Sequence, residues 1–192
     1  MSVSPYFDTE NITIVDHRTV SRIDKKDGEQ VGTTKIWVTE DGKTLHREFS
    51  HINAPGEPAY SGTYTAMRVS NGPDGSHLIS GTWQENPTES LSENAQSFTF
   101  RVDGDMLTMS SPLGDSFTAK MDGTEAPVKG DRGVDQVSIR QIDPSTLEQT
   151  YKLGGKLVSI TKMTLSRDGK TMKSFVEYKV LAVKIEITFI KQ

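Results

Sequence analysis

The chain has 192 residues, one-third of them hydrophobic and a quarter charged, with a net charge of −4. That suits a folded chain of one ordinary domain or two small ones, and excludes the compositions of disordered proteins. A pI near 5.6 and no basic cluster beyond Lys25-Lys26 argue against nucleic acid as a partner. With no cysteine there is no disulfide, thiolate metal site or thiol nucleophile, and the redox compartment stays open. No apolar run approaches a membrane span. The opening MSVSPYFDTE has neither the basic nor the apolar region of a signal peptide, so the localisation stays open too.

Asp-Gly recurs along the chain, at 27–28, 41–42, 74–75, 103–104, 122–123 and 168–169, joined by Asn71-Gly72 and Gly154-Gly155. These pairs tolerate the positive φ angles of tight hairpin turns. Between them the chain alternates. Phe98, Phe100 and Val102 interleave with Ser97, Thr99 and Arg101. Val183, Ile185, Ile187 and Phe189 interleave with Lys184, Glu186 and Thr188. A period of two predicts strands with one buried and one wet face. The segment Thr88–Asn94 is the best helical candidate and is expected to form one turn, with Thr88 as its cap. The expectation is an all-β antiparallel meander of short strands, closed into a barrel so that its edges are covered.

A shift of 127 positions aligns 5–49 with 132–176 without a gap, and thirteen of the 45 positions are identical. Asp8/Asp135, Ile12/Ile139, Asp16/Asp143, Thr19/Thr146, Gly28/Gly155 and the block DGKT at 41–44 and 168–171 are among them. The chain therefore reads as about one and a half copies of a repeat. Residues 1–75 form a half copy of about five strands and 76–192 a full copy.

The full copy opens with Ser80-Gly81-Thr82-Trp83 and runs through Pro127–Asp131 (PVKGD) to Ser166–Thr171 (SRDGKT). A Gly-x-Trp entering the first strand of a long meander resembles the lipocalin and fatty-acid-binding-protein superfamily of calycin barrels. The order of turns is most similar to uncharacterised bacterial lipocalin-like proteins, which are single-copy and often exported. The resemblance implies a barrel with an internal cavity and supplies no catalytic mechanism. The extra half copy leaves the central block 78–131 two possible partners, 5–69 and 132–192. Whichever half loses must cover its edges otherwise, and a homodimer formed by strand exchange is the natural solution.

No catalytic motif is present. Gly114-Asp115-Ser116-Phe117 resembles the start of the GDSL block of serine hydrolases, but the only Asp-x-x-His, Asp74…His77, lies upstream and in a turn, so the block reads as a hairpin turn. His46 and His51 are five apart, so on one strand they face opposite ways and cannot chelate together. Asp103-Gly104-Asp105 lacks the further ligands of a calcium loop. No metal site or cofactor is expected. Trp83 is expected to pack at one end of a barrel. Trp37, out of phase with Ile36 and Val38, is exposed, at an interface or facing a cavity. Arg101, Arg140, Tyr151 and Lys162 are strand residues that could project inward to orient a ligand, the plainer reading being outward charge on a half-solvated sheet. The expected function is binding of a small hydrophobic molecule in the barrel cavity. The alternatives are an interaction protein assembled through exchanged or shared strands, and a hydrolase or isomerase working within the barrel.

Overall fold

A computed structural model describes residues 6–53, 56–86, 90–179 and 182–192. The chain is an all-β antiparallel meander, 66% strand with almost no helix, and one of its sheets curls into a half-barrel. It divides into two compact units, residues 1–97 and 98–192.

The first unit holds β1 (Thr9–Asp16), β2 (Thr19–Lys26), β3 (Glu29–Val38), β4 (Thr44–His51) and β5 (Tyr60–Asn71). It also holds β6 (Gly81–Glu85) and the two-residue β7 (Ser90–Leu91). They form one sheet in the order β1-β2-β3-β4-β5-β6, with β7 also on β5. The second unit holds β8 (Thr99–Asp103), β9 (Met106–Ser110), β10 (Ser116–Lys120), β11 (Asp122–Lys129) and β12 (Gln136–Asp143). It continues through β13 (Thr146–Leu153), β14 (Lys156–Leu165), β15 (Thr171–Tyr178) and β16 (Val183–Ile190). These nine strands pair strictly in chain order from β8 to β16.

The central block is divided between the units. Gly81–Glu85 pairs with β5, whereas β8 to β11 lead into β12. The units therefore meet at 97/98 where the sequence places the boundary at 75/76. Each sheet order has two free ends, so hydrogen bonding closes neither into a ring among the described residues.

The strands β1 to β4 and β12 to β15 have the same bounds when shifted by 127 positions. Turn chemistry explains the match. Asp16 Oδ1 accepts from the Arg18 N–H at 2.8 Å and Asp143 Oδ1 from the Ser145 N–H at 2.8 Å. Asp41 Oδ1 accepts from the Lys43 N–H and the Thr39 hydroxyl, and Asp168 Oδ1 from the Lys170 N–H and the Ser166 hydroxyl. Asp8 Oδ2 reaches across to the Asp27 N–H at 2.9 Å, and Asp135 Oδ2 to the Gly154 N–H at 2.9 Å. The identical aspartates are side-chain braces that fold each turn back on itself.

Positive φ at both central residues, as type I′ requires, occurs at Asp27-Gly28 (51° and 85°) and Gly154-Gly155 (55° and 77°). Elsewhere the tight-turn expectation is modified. At Asp122-Gly123 the strands β10 and β11 pair only at Ser116–Lys129 and Phe117–Val128, and splay apart toward the turn. The GDSF block straddles the end of a turn, closed by the Ser111 N–H donating to Asp115 O at 2.9 Å, and the start of β10 at Ser116-Phe117. The helical turn is a 3₁₀ turn at Glu93–Ala95 behind Ser92, while Thr88 lies outside the described residues.

The second unit has an apolar core in which Leu107, Met109, Phe117, Ala119, Val137 and Ile139 are buried and Met121, Val128, Leu147 and Tyr151 pack against them. The first buries Val31, Val38, Leu45 and Ala66 together with the charged Asp24. The alternating apolar sets at Phe98–Val102 and Val183–Phe189 lie on strands, save Phe98 just before β8, but those strands are sheet edges and the side chains stay partly exposed. Phe98 and Phe189 meet edge to face at 5.7 Å.

Candidate functional site

Three strands of the first unit bring charged and aromatic side chains to one face. Pairing sets Asp24 of β2 beside Gly32 of β3, and Gly32 beside His51 of β4. One step along, Arg22, Thr34, Phe49 and Gly62 follow one another across four strands. Alternation then places Arg47 on the same face as Phe49 and His51. Two of these positions are open because they are glycine. A Cβ at Gly32 would lie 3.0 Å from His51 Nδ1 and 3.1 Å from Asp24 Oδ2, so its absence leaves room for both groups. A Cβ at Gly62 would stand 2.6 Å from Phe49 Cζ, so the Phe49 ring lies across the bare backbone, flanked by Leu91 of β7.

Asp24 is 3% exposed. Its Oδ2 accepts from Arg22 Nη2 at 3.0 Å, while Oδ1 is buried without a hydrogen-bond partner. Arg22 also pairs with Glu10 at 2.9 Å and sits 5.7 Å from the centre of the Phe7 ring. Arg47 differs. It has no carboxylate partner among the described residues. Its guanidinium lies 5.3 Å from the Phe49 ring centre and 5.1 Å from that of Tyr64, and Nη1 donates to the Tyr64 hydroxyl at 3.2 Å. The Nε atoms of Arg22 and Arg47 are buried and unpartnered. His51 stacks edge-on between Tyr6 (5.9 Å) and Tyr60 (5.6 Å), and Tyr60 in turn touches Phe49 at 6.2 Å.

These residues line a hollow of about 200 Å3, whose walls include Arg22, Asp24, Arg47, Phe49, His51 and Tyr60. A wider open groove of about 710 Å3 shares Arg22, Thr34 and Phe49 with it and runs on to Gly62 and Leu91. Rings supply apolar contact, and the polar groups offer two unpaired N–H donors and one unpaired carboxylate acceptor. Such a set holds a molecule that presents both an acceptor and a donor beside a flat or apolar body.

The residues singled out from the sequence lie elsewhere and do not converge. Trp37 stacks on His46 across the β3–β4 ladder (5.1 Å, 9° between planes) under Lys35 Nζ at 5.1 Å. Arg101 is on the edge strand β8, 3.9 Å from Asp103, with its side chain 78% exposed. Arg140 bonds Glu148 at 2.7 Å on the exposed side of β12. Lys162 is exposed on β14. Tyr151 packs edge-on against Phe117 at 6.4 Å, its hydroxyl donating to Gln149 Oε1 at 3.1 Å. Burial pushes the Tyr151 phenol well above its ordinary pKa, helped by Asp115 and Asp131. Trp83 packs under the Arg68 guanidinium (4.0 Å from the ring centre) and donates from Nε1 to Ile79 O at 2.8 Å.

The hollow carries a signal in the sequence. At the 127-residue spacing Arg22 corresponds to Gln149, Asp24 to Tyr151, Arg47 to Ser174 and His51 to Tyr178. Four titratable or cationic groups in the first stretch stand where the second has neutral or phenolic ones, on an otherwise matching ladder. Comparison with protein families, curated proteins and solved structures returned no match for this chain.

Proposed function

We propose that the first unit is a small-molecule binding module of the lipocalin-like kind. Its ligand is a compact, largely apolar or aromatic molecule with a hydrogen-bonding head. The observation that carries this reading is Arg47: a cation held between two rings, with no carboxylate partner among the described residues, at the wall of an aromatic-lined hollow. A carboxylate, amide or carbonyl oxygen on the ligand would accept from the Arg47 guanidinium at the wall of the hollow. The two 127-spaced stretches are read as copies of one ancestral unit, the first turned to binding and the second to packing. Support for that comes from the shared turn aspartates beside the diverged inner face.

Ligand-observed NMR against a panel of small aromatic and aliphatic acids and amides tests the proposal. Binders are expected to shift the His51 and Tyr60 ring resonances, and Arg47→Ser is expected to weaken them about tenfold or more. Binders that leave those rings unmoved, or that bind Arg47→Ser equally well, would overturn it.

A further inference from the structure

Among the described residues four strand edges are free in the two sheets: β1 and the β6/β7 pair in the first, β8 and β16 in the second. Natural edges are protected by shortness, bulges or charge. β6, β7 and β8 have five, two and five residues. β1 has eight residues but is broken by a register shift between Ile14 and Asp16. β16 alone is long and regular, running eight consecutive pairs with β15 without a shift.

Its outward groups follow from the ladder. The Lys191 N–H donates to Lys170 O at 2.9 Å, continuing the β15–β16 register. Bonded and non-bonded pairs alternate in an antiparallel ladder. The odd residues of β16 therefore bond to β15, and the N–H and C=O of Lys184, Glu186, Thr188 and Ile190 point outward. Val183, Ile185 and Ile187 share one face and remain 44%, 40% and 40% exposed. On β5 the edge away from β4 is occupied by β6 and β7.

We infer that the β16 edge binds the β16 edge of a second copy of this chain, antiparallel about a two-fold axis through Ile185. Charge favours this register, in which Lys184 and Glu186, each already beside an opposite charge within the sheet (Glu177 and Lys173), also face each other's charge. Centred on Ile185, Lys184 faces Glu186 of the second copy and Glu186 faces its Lys184. Val183 faces Ile187, and Ile185 faces itself. Centring on Lys184 or Glu186 would oppose like charges, which is unfavourable. The outward backbone groups of Lys184 and Glu186 then bond to one another, and the two apolar stripes join into one continuous strip. Among the described residues no strand pairs with that edge, and Phe98 meets Phe189 toward its end, four residues beyond Ile185.

Sedimentation of the full chain from about 1 to 100 µM tests this, with circular dichroism showing that each variant remains folded. The native chain is expected to reach twice its monomer mass. Glu186→Lys, which opposes two lysines at each of the paired positions, is expected to weaken the dimer about tenfold or more. Lys184→Glu combined with Glu186→Lys is expected to restore it. Ile185→Cys, in a chain without other cysteines, is expected to yield a covalent dimer on mild oxidation, and Ile12→Cys on β1 is not. The inference is overturned by a monomer at every concentration. It is equally overturned by a dimer indifferent to Glu186→Lys whose Ile185→Cys form does not cross-link, since another surface would then hold it.

Discussion

The stretches β1–β4 and β12–β15 share strand bounds and turn braces yet differ in the side chains at matching inner-face positions. In the second, β9 and β10 supply Leu107, Met109, Phe117 and Ala119 to cover the inner face of β12 and β13, and Gln149 and Tyr151 close on each other beneath them. In the first, no strand among the described residues covers the same face, and Arg22, Asp24, Arg47 and His51 take those positions. The difference teaches that hairpin turns fix the ladder while the inner face is free to change, because turn bonds are local and the inner face answers to whatever lies above it.

The comparison is broken most severely in the apolar core. Leu107→Ala, at a side chain 1% exposed, is expected to destabilise the second unit by about 2–5 kcal/mol. Urea unfolding followed through resonances of each unit should show the second transition move and the first stay. Next is the buried carboxylate. Asp24→Ala leaves Arg22 with Glu10 alone and is expected to cost the first unit roughly 1–3 kcal/mol. Replacing Arg22→Gln and Asp24→Tyr together, the pair found at the second stretch, should recover at least half of that loss by the same measurement.

A smaller effect sharpens the likeness. Asp16→Ala and Asp143→Ala each remove the brace of a matching turn, and small, equal drops in the unfolding midpoints of their own units are expected by calorimetry. The smallest effect is in acid. Hydrogen bonds from the Thr124 hydroxyl and N–H, and from Lys120, hold Asp122 down at about 2. Turn bonds likewise lower Asp8, Asp16, Asp41, Asp143 and Asp168. A carboxyl with a folded pKa below its unfolded value near 4 stabilises above that value, and the contribution is lost as pH falls through the folded pKa. Stability should therefore decline between about pH 4 and pH 2, and Thr124→Val should flatten that decline in acid titrations monitored by circular dichroism.

Much of the ladder was legible in the sequence, because a two-residue turn with positive φ admits few residues and Asp-Gly or Gly-Gly announces it. The alternation at Phe98–Val102 and Val183–Phe189 likewise located strands. It did not reveal that both are edges, since edge status depends on what else pairs. The hollow was hidden for a different reason. Arg22, Asp24 and Arg47 alternate with neighbours as surface charges do, and only the curl of the sheet decides which side encloses them. Arg101, Arg140 and Lys162 show the same pattern and stand outward. Trp37 was set apart by its phase, and the cause of that phase is a cross-strand stack on His46, which no spacing within one strand discloses.

The strict nearest-neighbour order of the second sheet has a consequence for how the chain can be cut and extended. Every ladder there joins strands that are consecutive in the chain. A sheet wired in this way is a string of hairpins, and each can zip onto the last with only a short loop to close. Whole hairpins can be removed from or added to either end without re-routing any connection, much as units are trimmed from a solenoid. Length can thus vary by single hairpins with no change of connectivity, most freely at the β16 end, since β9 at the other end carries Leu107 and Met109 of the core. Each such change exposes a new edge strand, so the number of hairpins also sets which sequence is offered to the surroundings.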